Sequence, residues 1–342
     1  MNIVIPSIHT PFVRGGDYLM TRGLKTALEA SGHRVEIIRF PFDYCSVPAI
    51  SELMDFCARQ NFEHFNGHPV DKVIAMQFPA YYVQHPERVL WLMHQHRPVY
   101  DLYDPAQAND ELRHLKQKIQ TDDDRAFERF SPRFAMSRNI VERLSVFNHI
   151  SAFPLYHPPA HETRFYCDDC YDYVFFPSRL EQLKRQDLLI QAMACTRSPV
   201  MAVIAGEGGQ KTLLAQMIHQ LNLEHRVCLA GYIQEKEKYS LYARSLGVFF
   251  GPYDEDYGYI TLEAMLSSKP VITCTDSGGP LEFVTDHDTG FVVDPDPEQI
   301  AEKIDWRYNH RQQAGEMGRA GRQAYLDKNI TWDHVTAHLV GP

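Results

Sequence analysis

Val248-Phe249-Phe250-Gly251-Pro252-Tyr253-Asp254-Glu255-Asp256-Tyr257-Gly258-Tyr259-Ile260-Thr261-Leu262-Glu263-Ala264-Met265 holds one complete strand-to-helix unit. Val248 to Phe250 form an apolar run of strand type, and from Tyr259 onward Ile260, Ala264 and Leu266 take up helical spacing. Between them lies an acidic, glycine-bearing loop. Backbone N–H groups near Tyr257, Gly258, Tyr259 and Ile260 are left unpaired at the helix start and point at an incoming anion. Carboxylates repel phosphate, so Glu255 and Glu263 are placed to accept hydrogen bonds from hydroxyl groups on either side of a phosphorylated centre.

Working outward, the same strand-to-helix rhythm recurs almost from end to end, which argues for parallel sheets covered by helices. In the first half, strands are expected at Ile3-Val4-Ile5, Val35 to Ile38, Val73 to Met76, Val89 to Met93 and Arg133 to Ser137. A helix carrying Leu24, Ala27 and Leu28 follows the Gly15-Gly16 turn, and a polar helix is expected over residues 111–129. Pro154, Pro158 and Pro159 mark a linker. The alternation restarts at Tyr173 to Phe176 and continues through Val200 to Ala205, Val227 to Ala230, Gly247 to Phe250 and Val271 to Cys274. Phe176-Pro177-Ser178-Arg179-Leu180-Glu181-Gln182-Leu183-Lys184 leads from one of these strands into a helix. It offers a guanidinium fork and a compact ammonium to phosphate oxygens.

Two glutamates eight positions apart around an aromatic-glycine step, with Ala264 after the second, and a Ser178-Arg179-Leu180 segment closed by Lys184, resemble the retaining GT-B glycosyltransferases of family four. That resemblance implies two Rossmann-like α/β domains with parallel sheets facing an interdomain cleft. The expected division is residues 1–160 for the acceptor side and 161–325 for the nucleotide sugar, with a final helix over 326–342 packing back on the first domain. It implies a catalytic set of Glu255, His94, Arg179 and Lys184, with Glu255 on the transferred sugar and Arg179 and Lys184 on the diphosphate. Glu263 falls on the ribose, the backbone near Tyr232 and Ile233 on the nucleobase, and Gly16, Gly206, Tyr257, Gly258 and Tyr259 around the donor. His94 closes a strand beside His96, which is the alternative for the sugar-facing histidine. Arg185 stands where such relatives often have glycine.

The implied activity is transfer of a sugar from a UDP- or GDP-linked donor to the hydroxyl of a sugar or lipid-linked acceptor, with retention, in polysaccharide or glycoconjugate biosynthesis. No metal and no cofactor beyond the donor is expected, because cationic side chains and a helix terminus take that place. Rival readings are a non-catalytic sugar-nucleotide-binding protein, or a retaining phosphorylase or sugar-nucleotide epimerase on the same fold. Gly206 to Thr212 is similar to a P-loop but lacks glycine before Lys211, which argues against phosphate transfer by that route.

Composition narrows the field. With 44% hydrophobic and 12% aromatic residues the chain is globular, and a formal charge of −10 argues against nucleic acid as a partner. The seven scattered cysteines read as reduced thiols. Cys167 and Cys170 form a C-x-x-C without a second pair at zinc spacing. Ile3 to Ile5, with no basic segment before it, reads as a strand rather than a secretory signal. The longest apolar run, Val200 to Ala205, is far short of the roughly 18 residues of a span. A cytoplasmic location is expected, with peripheral contact at the inner face of a membrane left open. Arg125, Arg129, Arg133 and Arg138, interleaved with Phe127, Phe130 and Phe134, read either as a basic face for anionic headgroups or as half core and half solvated helix. The Asp122-Asp123-Asp124 run reads as a solvated face.

Overall fold

Apolar runs with no polar alternation belong in strands covered on both faces, and the chain places them there. A computed structural model describes residues 1–12 and 15–341. It divides into two compact units, Met1–Ala160 with Thr331–Pro342, and His161–Ile330.

The first unit runs β1 (Asn2–His9), α1 (Gly16–Ala30), β2 (Arg34–Pro41), α2 (Val47–Arg59), a small hairpin of β3 (His64–Phe65) and β4 (His68–Pro69), β5 (Lys72–Gln77), β6 (Arg88–His94), α3 (Asp110–Phe127), β7 (Arg133–Ala135), α4 (Arg138–Asn148) and β8 (Phe153–Pro154). Its sheet has the order β2-β1-β5-β6-β7-β8, and every pair is parallel. Val73 to Met76 and Leu90 to Leu92 are wholly buried in its centre.

The carboxyl-terminal helix Trp332–Val340 belongs to this unit. Trp332 meets the buried Trp91 edge-on at 6.4 Å and His157 at 5.7 Å, while Trp91 Nε1 donates to the Leu155 carbonyl at 3.0 Å. A Cβ at Gly23, inside α1, would come within 2.3 Å of the Trp332 ring, so the helix gives up side-chain bulk there to admit the indole. The return begins at Thr331 and not at 326. Residues up to Asp327 continue the helix Arg311–Asp327, and Asn329, at φ +50°, breaks the chain direction after it.

Two readings of α3 are settled by burial. The Asp122-Asp123-Asp124 run is not a solvated face throughout, because Asp123 is 0% exposed. It accepts from Tyr81 and Tyr82 at 2.6 Å and from Tyr100 at 2.7 Å. Full burial outweighs these three hydrogen bonds and pushes its carboxyl up to about 7. Phe127, Phe130 and Phe134 are core residues, and Arg133 is turned onto the carbonyls of Phe127 and Ser151. Arg125 and Arg129 remain on the surface. Among the described residues no helix is long and apolar enough to cross a membrane.

The second unit runs β9 (Tyr173–Pro177), α5 (Gln186–Cys195), β10 (Met201–Ala205), α6 (Lys211–Gln220), β11 (Val227–Gly231), α7 (Glu235–Arg244), β12 (Gly247–Phe249), α8 (Tyr259–Leu266), β13 (Val271–Cys274), β14 (Gly290–Val293), α9 (Pro297–Asn309) and α10 (Arg311–Asp327). Its sheet order is β11-β10-β9-β12-β13-β14, all parallel. Counted from its own first strand this is 3-2-1-4-5-6, the doubly wound order, and the direction of winding reverses between β9 and β12. At such a reversal the loops leaving the two strands part to opposite faces and open a crevice at their carboxyl ends.

Candidate active site

The two motifs that stand out in the sequence leave the sheet on either side of that reversal: residues 178–185 follow β9 and residues 250–258 follow β12. Their charged groups meet. Lys184 Nζ lies 2.5 Å from Glu255 Oε2, with the two side chains 17% and 22% exposed. Backbone hydrogen bonds hold the loops in place. Tyr253 N donates to the Leu183 carbonyl at 2.8 Å, and Asp254 N and Glu255 N donate to the carbonyls of Asp276 and Ser277 at 2.9 Å. Gly279 N returns to the Glu255 carbonyl at 2.7 Å. Glu255 is thereby fixed through its own backbone, between the turns after β9 and β13.

Arg185 completes this brace. It takes the left-handed conformation at φ +55°, ψ +47°, which glycine adopts without strain, and it precedes α5. Its guanidinium donates to both carboxylate oxygens of Asp276, at 2.8 and 2.7 Å, and lies 5.0 Å from the Tyr253 ring centre. The hydrogen bonds to Asp276 are the main cause that holds the guanidinium pKa above its usual range. The side chain that strains this turn also ties it down.

Glu263, on the first turns of α8, is 9% exposed. Lys238 of α7 donates to its Oε1 at 3.1 Å and Tyr242 donates to its Oε2 at 2.7 Å. Burial works against the Lys238 charge, but Glu263 and then Glu235 more than compensate, and its pKa is raised. Each Glu263 oxygen has accepted one side-chain bond and retains a second lone pair. Gly258 stands at the head of α8 at φ +87°, a conformation that frees the following N–H groups and that an L side chain resists. Tyr257 is buried against Tyr259 and Phe283, so its backbone is what it offers a ligand.

Arg179 is exposed at the end of β9. Gly206, after β10, has φ +145°, and a Cβ there would stand 1.9 Å from the Ser178 carbonyl, so glycine is what lets these two strand ends touch. Tyr232, 79% exposed, and Ile233 follow β11. Lys211, of the P-loop-like segment, is paired with Glu207 at 2.9 Å. Arg179, Lys184, Gly206, Tyr232, Ile233, Glu255 and the start of α8 thus all lie at the carboxyl edge of one sheet.

In the first unit, Gly16 opens α1 after β1 and His94 ends β6, also at a carboxyl edge. His94 is half-buried, with Nδ1 2.7 Å from the Gln95 carbonyl. His96 is a packing residue: it is buried, stacked on Phe78 at 4.9 Å, and pushed down to about 4 by burial and then by His94. Among the described residues no three His, Cys, Asp or Glu side chains converge as a metal site.

The profile of a family described as "Glycosyl transferases group 1" matches residues 168–324. The second unit belongs to the glycosyl transferases group 1. Among curated relatives, the poly(ribitol-phosphate) alpha-N-acetylglucosaminyltransferase of Staphylococcus aureus is 34% identical over 158 residues, 45% of this chain and 32% of that protein. The human alpha-1,3/1,6-mannosyltransferase ALG2 is 29% identical over 167 residues, 44% of this chain and 40% of that one. The chain therefore spans less than half the length of these relatives. The fold extends further than the sequence likeness. Anabaena Alr3699/HepE, solved in complex with UDP and glucose, aligns over 98% of this chain and 97% of that one with a TM-score of 0.70 at 18% identity. The GT-B architecture implied by the glycosyltransferase motifs is the one the chain adopts.

Lys238, Tyr242 and Asp276 were not singled out from the sequence. Lys238 and Tyr242 sit four apart on α7, in a segment whose charges read as surface, and only the packing of α7 beside α8 brings them to Glu263.

Proposed function

We propose that the chain is a retaining glycosyltransferase. It moves a sugar from a UDP- or GDP-linked donor to the hydroxyl of a sugar or lipid-linked sugar acceptor, in polysaccharide or glycoconjugate assembly. The observation that carries this reading is the Lys184–Glu255 pair at the winding reversal of the second sheet, with Glu263 held by Lys238 and Tyr242 on the adjoining helix. A nucleoside diphosphate sugar has that order of groups: a sugar for Glu255, a diphosphate for Lys184 and Arg179, and a ribose diol for the two remaining Glu263 lone pairs. Tyr232 and Ile233 are positioned for the nucleobase, and Gly206, Tyr257, Gly258 and Tyr259 let backbone approach the phosphates.

In this reading the Lys184 ammonium keeps one hydrogen bond to Glu255 and turns its others to the diphosphate. As the bond from the anomeric carbon to the β-phosphate oxygen breaks, negative charge grows on that oxygen. Arg179, Lys184 and the N–H groups heading α8 stabilise it more in the transition state than in the ground state. The acceptor oxygen bonds to the anomeric carbon on the same face, and its proton passes to the departing phosphate. Glu255 orients sugar hydroxyls. Cationic side chains serve where a divalent metal would otherwise neutralise the diphosphate, so EDTA leaves activity intact. The location is cytoplasmic, with the acceptor presented at a membrane surface.

The test is a panel of UDP- and GDP-sugars assayed for nucleotide release and product configuration. Release of nucleotide with retention is expected. Binding without release would identify a non-catalytic binder, and turnover only with added inorganic phosphate would identify a phosphorylase.

A further inference from the structure

At the amino edge of the first sheet, where Arg88 opens β6, α2 and α3 leave a cavity of about 240 Å³. It lies at the opposite end of β6 from His94. Arg88, Lys118, Arg125 and Arg129 line it against two carboxylates, Asp55 and Asp122. The carboxylates are already engaged: Lys118 Nζ is 2.6 Å from Asp55 and 3.1 Å from Asp122, and Arg125 stands 4.0 Å from Asp122. Arg88 donates to the Val83 carbonyl at 2.8 Å and lies 5.0 Å from the Phe130 ring centre, which fixes its direction without neutralising it. Arg129 has no ion pair among the described residues. Burial, and after it the charge of Arg129, hold the Arg88 guanidinium below its usual range.

Two guanidiniums that repel each other across a cavity gain most from a ligand that supplies the missing negative charge, and a tetrahedral oxyanion matches their donor forks. Volume narrows the choice. The space is below the roughly 300–1,000 Å³ of pockets that enclose drug-sized ligands, and it has room for one phosphate group.

We propose that this cavity is an anion site, separate from the donor crevice, in which Arg88 and Arg129 bind a single phosphate group. The phosphate is either free or the headgroup of a lipid. The assignment does not depend on the glycosyltransferase reading, because none of its residues belongs to that machinery.

Calorimetric titration of the whole chain with inorganic phosphate tests it. The parent is expected to bind phosphate, and Arg129→Gln, a surface change that leaves the core packing alone, is expected to weaken that binding about tenfold or more. Arg88→Gln should do the same, while Lys184→Gln, which reports on the donor crevice, should leave it unchanged. Co-sedimentation with phosphatidylcholine vesicles carrying phosphatidic acid separates the sources. Capture that Arg129→Gln abolishes assigns the group to a lipid, and phosphate binding without capture assigns it to a soluble molecule. Phosphate affinity equal to the parent in the Arg88→Gln/Arg129→Gln double variant, or a parent whose phosphate binding is lost in Lys184→Gln, overturns the proposal.

Discussion

Replacing Arg185 by glycine sets two terms against each other. The left-handed backbone at φ +55° costs an L residue about 1–2 kcal/mol relative to glycine, so Arg185→Gly relieves that strain. It also deletes a two-pronged hydrogen bond to Asp276 whose partners are 19% and 34% exposed. Half-exposed charge-assisted bonds of this kind are worth well below the buried figure, about 1–2 kcal/mol together. The terms nearly cancel, and the glycine variant should match the parent in stability to within about 1 kcal/mol. Arg185→Ala keeps the strain and loses the fork, so it should be less stable than the glycine variant by about 1 kcal/mol. Turnover should not show this cancellation. The carbonyls of Asp276 and Ser277 hold Asp254 and Glu255, so loosening Asp276 displaces Glu255 and should lower kcat about tenfold in both variants, with nucleotide affinity little changed. Denaturant midpoints for Arg185→Gly, Arg185→Ala, Asp276→Ala and the Arg185→Ala/Asp276→Ala double variant, with kcat and UDP titration beside them, measure every term. A coupling energy below about 0.3 kcal/mol between positions 185 and 276, or unaltered kcat in Arg185→Gly, would refute the brace.

Glu263→Ala should weaken nucleotide binding about tenfold or more, and Lys238→Met should weaken it less, because Tyr242 still holds Oε2; titration with UDP and GDP reads both. Glu255→Gln should instead lower turnover with binding nearly intact, and equal kcat in parent and variant would contradict its place on the sugar. Asp123 sets a pH dependence. Its folded carboxyl titrates near 7 against a usual value of 3.8, so between those values the folded chain holds a proton that the unfolded chain has released. Stability should therefore fall as pH rises from about 4 to about 7, by at most about 4 kcal/mol from this group, and Asp123→Asn should flatten the slope of denaturant midpoint against pH. Gly23→Leu should expel Trp332 and lower the thermal midpoint by several degrees through loss of the Trp91 contact.

Period and punctuation made the sheets legible, since Val73 to Met76 and Phe175 with Phe176 are apolar runs that only a covered strand accommodates. Helix α2 was not anticipated from the sequence, although Ser46 caps it, Pro48 enters its first turn, and Ile50, Met54 and Cys57 mark its buried face. The loops at the carboxyl edge of the second sheet were found because glycine, arginine and glutamate there follow local spacing. Asp123 was misread for the opposite reason. A carboxylate in an acidic run looks solvated, and the tyrosines that receive it come from positions 81, 82 and 100, each distant along the chain. The Arg185–Asp276 fork spans 91 positions and leaves no periodic trace.

The threading of the chain has a consequence for synthesis. The first unit surrounds Trp91 only when residues from Thr331 onward arrive, and these emerge from the ribosome after all of residues 161–330. Until then that unit carries an uncovered tryptophan face, while the second unit, being continuous, is free to fold as soon as it is made. A chain cut between Ile330 and Trp332 thus keeps the whole second unit but leaves the first without the indole that covers Trp91.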